Sequence, residues 1–111
     1  MGAGLTVGKT FALIAQAVAV PGTAVPLTTS NINVRAFWVQ AKRISGDNTG
    51  KIYIGTLDVD QDGANDAEEL ELNPGDYWEM PIPADVTINL STVFIDAVTA
   101  TDGVVGGYIL A

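Results

Sequence analysis

Asn33-Val34-Arg35-Ala36-Phe37-Trp38-Val39-Gln40-Ala41-Lys42-Arg43-Ile44 is the stretch on which the fold turns. Ala36, Phe37, Trp38, Val39 and Ala41 put apolar groups on both faces of an extended chain. A strand with two apolar faces is central and covered twice, or it lines an interface. Arg35, Lys42 and Arg43 lie toward its ends and are expected to face acids of the second half. The turn-rich segment Ser45-Gly46-Asp47-Asn48-Thr49-Gly50 then leads into Lys51-Ile52-Tyr53-Ile54-Gly55, the expected hairpin partner.

Working outward, twelve Val, nine Ile and eleven Thr among 111 residues favour a pleated sheet over a helix. Turn signals at Pro21-Gly22, Asp62-Gly63, Asn73-Pro74-Gly75 and Asp102-Gly103 cut the chain into short runs. Strands are expected over 10–20, 23–29, 33–44, 50–58, 76–82, 86–90, 92–98 and 104–110. In 86–90, Val86, Ile88 and Leu90 alternate with polar residues and read as a half-buried strand. Asn73-Pro74-Gly75 reads as a type II turn, with proline presetting one central φ and glycine supplying the positive one. Pro81 and Pro83 remove two backbone donors on one side, which places 79–84 at a sheet edge or strand end. Ala64–Leu72 is the best helix candidate, a turn or two at most. Phe11–Val20 is apolar, and its Ala17-Val18-Ala19 mimics a signal-peptidase site. The run is too short to span a bilayer and reads as a strand. The expected fold is an all-β antiparallel β-sandwich, jelly-roll-like, of seven to eight strands. It comprises an N-terminal arm over 1–9 and one domain over 10–111.

Composition limits the chemistry. There is no cysteine and no histidine, which excludes disulfides, thiolate metal sites, Ser-His-Asp catalysis and the usual neutral-pH base. Residues 1–51 carry five bases and one acid; residues 52–111 carry twelve acids and no base, giving a net charge of −8. Such acidity argues against nucleic acid as a partner. No run reaches membrane-span length, so no membrane partner is expected. Ser30, Ser45 and Ser91 have no histidine to activate them. Six of the thirteen acids fall in one loop rather than on paired rigid strands, so no enzyme is expected.

The sharpest motif is Asp58-Val59-Asp60-Gln61-Asp62-Gly63-Ala64-Asn65-Asp66-Ala67-Glu68-Glu69. Its spacing matches a calcium loop, in which alternate acids turn oxygens inward and the glycine permits the bend. Asp58, Asp60, Asp62, Asp66 and Glu69 are the candidate ligands. A sheet-like run precedes the loop, and Asn65 stands where EF-hands place an aliphatic, so an EF-hand is not expected. A solvated acidic hairpin loop is the alternative, and no other cofactor is indicated. Seven of the eight aromatics, among them Phe37, Trp38, Tyr53, Tyr77 and Trp78, read either as core packing or as a carbohydrate-stacking surface. Neighbours in a strand face opposite ways, so one of Tyr77 and Trp78 is expected to be exposed and suited to an interface.

Asn48-Thr49-Gly50-Lys51-Ile52-Tyr53-Ile54-Gly55 is followed by Leu72-Asn73-Pro74-Gly75-Asp76. Asn89-Leu90-Ser91-Thr92-Val93-Phe94-Ile95-Asp96 and Thr101-Asp102-Gly103-Val104 come after it. In that order, over about residues 34–110, the pieces resemble small all-β structural proteins of tailed bacteriophages. Phe94 stands where such sequences often have tyrosine, and the acidic 58–69 loop replaces a shorter polar stretch. The resemblance implies a non-enzymatic virion protein, made in the host cytoplasm and located on the capsid surface. Its implied role is head decoration or cement, with the major capsid protein as partner and a trimer as the favoured homo-oligomer. Leu5, Phe11, Trp38, Tyr77 and Trp78 are the expected interface residues, with Leu5 to Ile14 as a contact segment. The alternatives are a tail, neck or fibre-associated protein, and a calcium-dependent carbohydrate-binding β-sandwich module.

Overall fold

The computed structural model describes residues 11–42, 49–56 and 69–111; the side chains of Phe11 and Glu69 lie outside this description. The strands are β1 Phe11–Ala17, β2 Val25–Pro26, β3 Asn33–Ala41, β4 Ile52–Gly55 and β5 Glu69–Leu72. They continue as β6 Tyr77–Glu79, β7 Ile88–Asn89, β8 Phe94–Ala97 and β9 Gly103–Leu110. They form two antiparallel sheets, so the chain is all-β. Sheet 1 runs β1–β9–β3–β6, with β7 also on β3, and sheet 2 runs β2–β8–β4–β5. The acidic residues Asp58, Asp60, Asp62 and Asp66, the 1–9 arm with Leu5, and Arg43 lie outside the described residues.

Strand β3 is central, between β9 on one side and β6 and β7 on the other. Its Phe37, Val39 and Ala41 turn inward at a period of two, and Val34 is also buried. The change of phase has a cause: Ile109 pairs with Ala36 but Leu110 pairs with Val34, which leaves Arg35 as the extra residue of a bulge. Across the core, Phe37, Val39 and Val104 of sheet 1 meet Ile52, Ile54 and Ile95 of sheet 2.

Each of the eight expected segments contains a strand, and the described residues hold a ninth, β5. Residues 69–72 of the helix candidate are thus extended. Leu70 and Leu72 alternate with Glu69 and Glu71, and the ladder opposes Ile52 to Leu72 and Ile54 to Leu70. Pairing with a formed strand outweighs the helix preference of Ala, Glu and Leu. The expected hairpin of 33–44 with 51–55 does not form: β4 lies in sheet 2 between β8 and β5. The place beside β3 goes to β9, whose eight residues pair along nearly its whole length. Val86 does not continue the alternation of 86–90 inward. Its N–H donates to the Pro83 carbonyl at 3.0 Å, so it closes a turn and stands exposed.

The Pro-Gly turns form as the residues require. Asp76 N–H donates to the Asn73 carbonyl at 2.9 Å, and Thr23 N–H to Val20 at 3.0 Å. Gly75 and Gly22 both take φ of +91°, which suits glycine at the third turn position. The other motif pieces are clamps between loops. Buried Asp102 accepts from Thr49 N–H at 3.0 Å and Gly50 N–H at 2.9 Å, which joins the Asn-Thr-Gly and Thr-Asp-Gly segments. The Asn89 side chain accepts from Ser91 N–H and caps a 3-10 turn over Leu90–Thr92 that drives Leu90 into the core.

Candidate functional site

Antiparallel register decides which side chains share a face. In sheet 1, Leu13 opposes Gly107, Gly107 opposes Trp38, and Trp38 opposes Glu79. One step along, Ala15, Val105, Gln40 and Tyr77 form the next row. Both rows point away from the core, because Ile14 and Val39 between them, and Val104 one step beyond, are buried. The result is an apolar outer face: Leu13 is 75 % exposed, Tyr77 59 % and Val105 38 %. Trp38 is half-buried. Leu13, Ala15, Trp38, Tyr77, Val105 and Gly106 border a hollow of about 490 Å³ on this face. Glu79 is the one ionisable carboxylate in the two rows. It accepts a long hydrogen bond, 3.4 Å, from the Tyr77 hydroxyl. Desolvation pushes the Tyr77 phenol above its ordinary range, and the Glu79 charge and hydrogen bond add to the shift.

Tyr77 and Trp78 divide as expected of strand neighbours. Tyr77 faces out; Trp78 turns inward and meets Phe37 edge-on, ring centres 5.8 Å apart and planes at 79°. Trp78 is therefore not on the outer face, against the expectation that it lines the interface. Trp38 and Tyr77 are brought onto one face. The Phe11 backbone opposes Ile109 at the start of β1, and Leu5 lies outside the described residues. Val105 was missed by the sequence reading; its signal was its place beside Val104, since strand neighbours face opposite ways and Val104 is buried.

Trp78 lines the end of the core instead. Phe37, Ile54, Leu70, Trp78, Met80 and Val93 border an open cleft of about 450 Å³ between the sheets. Among the described residues its polar lining is Thr56 and Thr92, with no titratable group.

The outer face of sheet 2 differs. Its cross-strand row is Asp96–Tyr53–Glu71. Asp96 is fully buried, and its carboxylate accepts from Gly22 N–H at 3.1 Å and Ala97 N–H at 2.8 Å, so the Val20–Thr23 turn straps that end. At the other end Glu71 accepts from Lys51 Nζ at 3.1 Å and Tyr53 Oη at 3.0 Å, and these bonds lower its carboxyl pKa, the lysine contributing most. Among the described residues the salt bridge is Lys51–Glu71, and it involves neither Arg35 nor Lys42. Arg35 is turned out at its bulge.

The backbone of Glu69 opens β5 opposite Gly55; the other four candidate calcium ligands lie outside the described residues. Among the described residues no cluster of three acids is placed to hold a metal, and no helix is long and apolar enough to cross a membrane. No family model matches the chain, and neither a curated protein nor a solved structure matches it.

Proposed function

We propose that this chain is a non-enzymatic structural protein of a tailed-bacteriophage virion that decorates or cements the head by binding the major capsid protein. The observation that carries the reading is the outer face of sheet 1, where Leu13, Val105 and Tyr77 stand exposed on a protein of net charge −8. A contiguous apolar face on an acidic protein is a contact surface rather than a solvated one. The motif residues that resemble phage structural proteins serve as loop clamps, which suits a rigid module bearing load.

The strand order supports a finer reading of the fold. The chain passes from β1 to β2, β3 and β4 by crossing between sheets each time, and the order β1–β9–β3–β6 lies against β2–β8–β4–β5. Two such interleaved sheets are the arrangement of a jelly roll, an architecture used in viral capsid and lectin domains. A shared architecture raises the prior for capsid work without assigning it.

The mechanism is interface burial. A decoration protein that straddles subunit junctions adds buried area, and symmetry repeats each contact over the particle. A trimer at local three-fold positions is the arrangement this reading favours, with Trp38, Tyr77 and the Leu5 to Ile14 segment as contacts. Exposed Tyr77 also suits stacking on a sugar, the second reading, for which calcium-dependent glycan binding is the discriminating result. Sedimentation of the purified chain with empty capsids tests the first. Co-pelleting in a fixed ratio to the major capsid protein is expected, and a chain left wholly in the supernatant across concentrations removes the reading.

A further inference from the structure

We infer that the outer face of sheet 1, together with the edge of β1 that is unpaired among the described residues, is where a second copy of this chain docks, so that copies meet here within the assembly that decorates the capsid. The four sheet edges of the described residues differ. In sheet 1, β6 has three residues and is followed by Pro81 and Pro83. In sheet 2, β2 is two residues ending in Pro26, and β5 carries Glu69 and Glu71. Shortness, proline and charge are the devices by which sheets avoid pairing with other chains. Strand β1 has none of them. Its seven residues, FALIAQA, hold no charge, no proline and no register shift against β9.

The edge is also correctly aimed. Val18 N–H donates to the Asp102 carbonyl at 2.9 Å, and the Val18 carbonyl accepts from Thr101 at 2.8 Å, so even-numbered residues bond toward β9. Alternation then turns the N–H and C=O of Leu13 and Ala15 outward. Among the described residues, β9 is the sole strand neighbour of β1.

Charge and shape select the occupant. Each copy carries −8, so two copies repel on every acidic surface and meet most favourably where charge is absent. A basic partner is recognised by carboxylates, and these rows hold one, Glu79, at their margin. A neutral face is complementary to itself. It also presents a projection beside a recess: Leu13, 75 % exposed, stands at the border of the 490 Å³ hollow. Gly107, in the row between Leu13 and Trp38, makes room for the Trp38 ring, which lies 2.6 Å from where a Cβ would stand. Four strands about 4.8 Å apart and a longest strand about 30 Å long make a face on the order of 600 Å². That approaches the roughly 800 Å² per partner of a standard interface, and hydrogen bonding along β1 adds to it.

This contact deepens the capsid reading, on which its biological setting rests, but it is measured without capsids. Light scattering of the full chain at tens of micromolar is expected to give two or more chains per particle. Leu13→Glu places a charge on the projection, and Ala15→Lys places one on the edge; both positions are exposed, so circular dichroism should stay that of the parent. Each variant is expected to shift the mass to a single chain. A parent that is already a single chain, or variants that are folded and assemble as the parent does, overturns the inference. Capsid sedimentation separates the two ideas: a single-chain parent that still pellets with capsids sinks the self-contact alone, and an assembled parent that does not pellet sinks the capsid reading alone.

Discussion

The two sheets share one core and treat their outer faces differently. On sheet 2, Asp96 at one end of the row is buried beneath the Val20–Thr23 turn, and Glu71 at the other is bonded to Lys51 and Tyr53 in water. On sheet 1, the rows through Leu13, Val105 and Tyr77 leave these side chains exposed, and the salt bridge of the described residues lies on the other sheet. The inner faces resemble each other because both must fill the same space. The outer faces differ in what they present: a strapped turn and an ion pair on sheet 2, exposed apolar side chains on sheet 1.

The largest effect expected from breaking this contrast is in the backbone of sheet 1. A Cβ at Gly106 would run into the Trp38 carbonyl and lie 3.0 Å from Val39 Cα. Those are backbone atoms of the central strand and cannot swing aside. Gly106→Ala is expected to cost roughly 2–4 kcal/mol, read as a lowered urea midpoint. Gly22→Ala, in the strap of sheet 2, has nothing within 4 Å of its Cβ and a φ of +91°, so its cost is backbone strain alone, about 1 kcal/mol. Equal midpoints for the two variants would contradict the close approach of β9 and β3.

Next in size is the strap itself. Asp96→Ala leaves Gly22 N–H and Ala97 N–H without their carboxylate acceptor at a fully buried position. Loss of charge-assisted bonds in such a place costs about 2–3 kcal/mol. Asp96→Asn keeps one oxygen acceptor and should lose less. Hydrogen exchange should speed at Gly22 before it speeds in β3. Unchanged exchange at Gly22 would mean the carboxylate does not hold the turn.

These clamps also explain what the sequence could tell. Pro21-Gly22, Asn73-Pro74-Gly75 and the Asp102 segment were legible because turn chemistry is local: proline, glycine and a short acid act within a few residues. The strands were legible for the same reason, as short β-branched runs between turns. The place of β4 was not, because its partners β5 and β8 are chosen by long-range pairing, and nearness to β3 in sequence carries no weight against the eight-residue β9. Strand β5 was misread because Ala, Glu and Leu at 64–72 favour a helix locally while the ladder to β4 favours extension. Trp38 and Tyr77 were recognisable as interface candidates from their size. Val105 and the burial of Trp78 needed the register. Arg35 marks a bulge, a feature with no signal of its own in one sequence.

The smallest expected effect sharpens the comparison from the solvent side. Glu71 is half exposed along with Lys51, so their attraction is screened by water. Its carboxyl is lowered below the ordinary 4.5 by the bonds from Lys51 and Tyr53. A lowered folded-state value means the carboxylate form is favoured by folding, so its contribution is complete above about pH 4.5 and is lost as pH falls through the lower folded value. Tyr53→Phe removes one of the two bonds, so the acid-side fall of the melting temperature should become slightly shallower, with almost no change at pH 7. A large loss at pH 7 would mean that the polar face of sheet 2 contributes to holding the fold, and then the scarcity of charge in the outer rows of sheet 1 would be a structural cost rather than the sign of a partner.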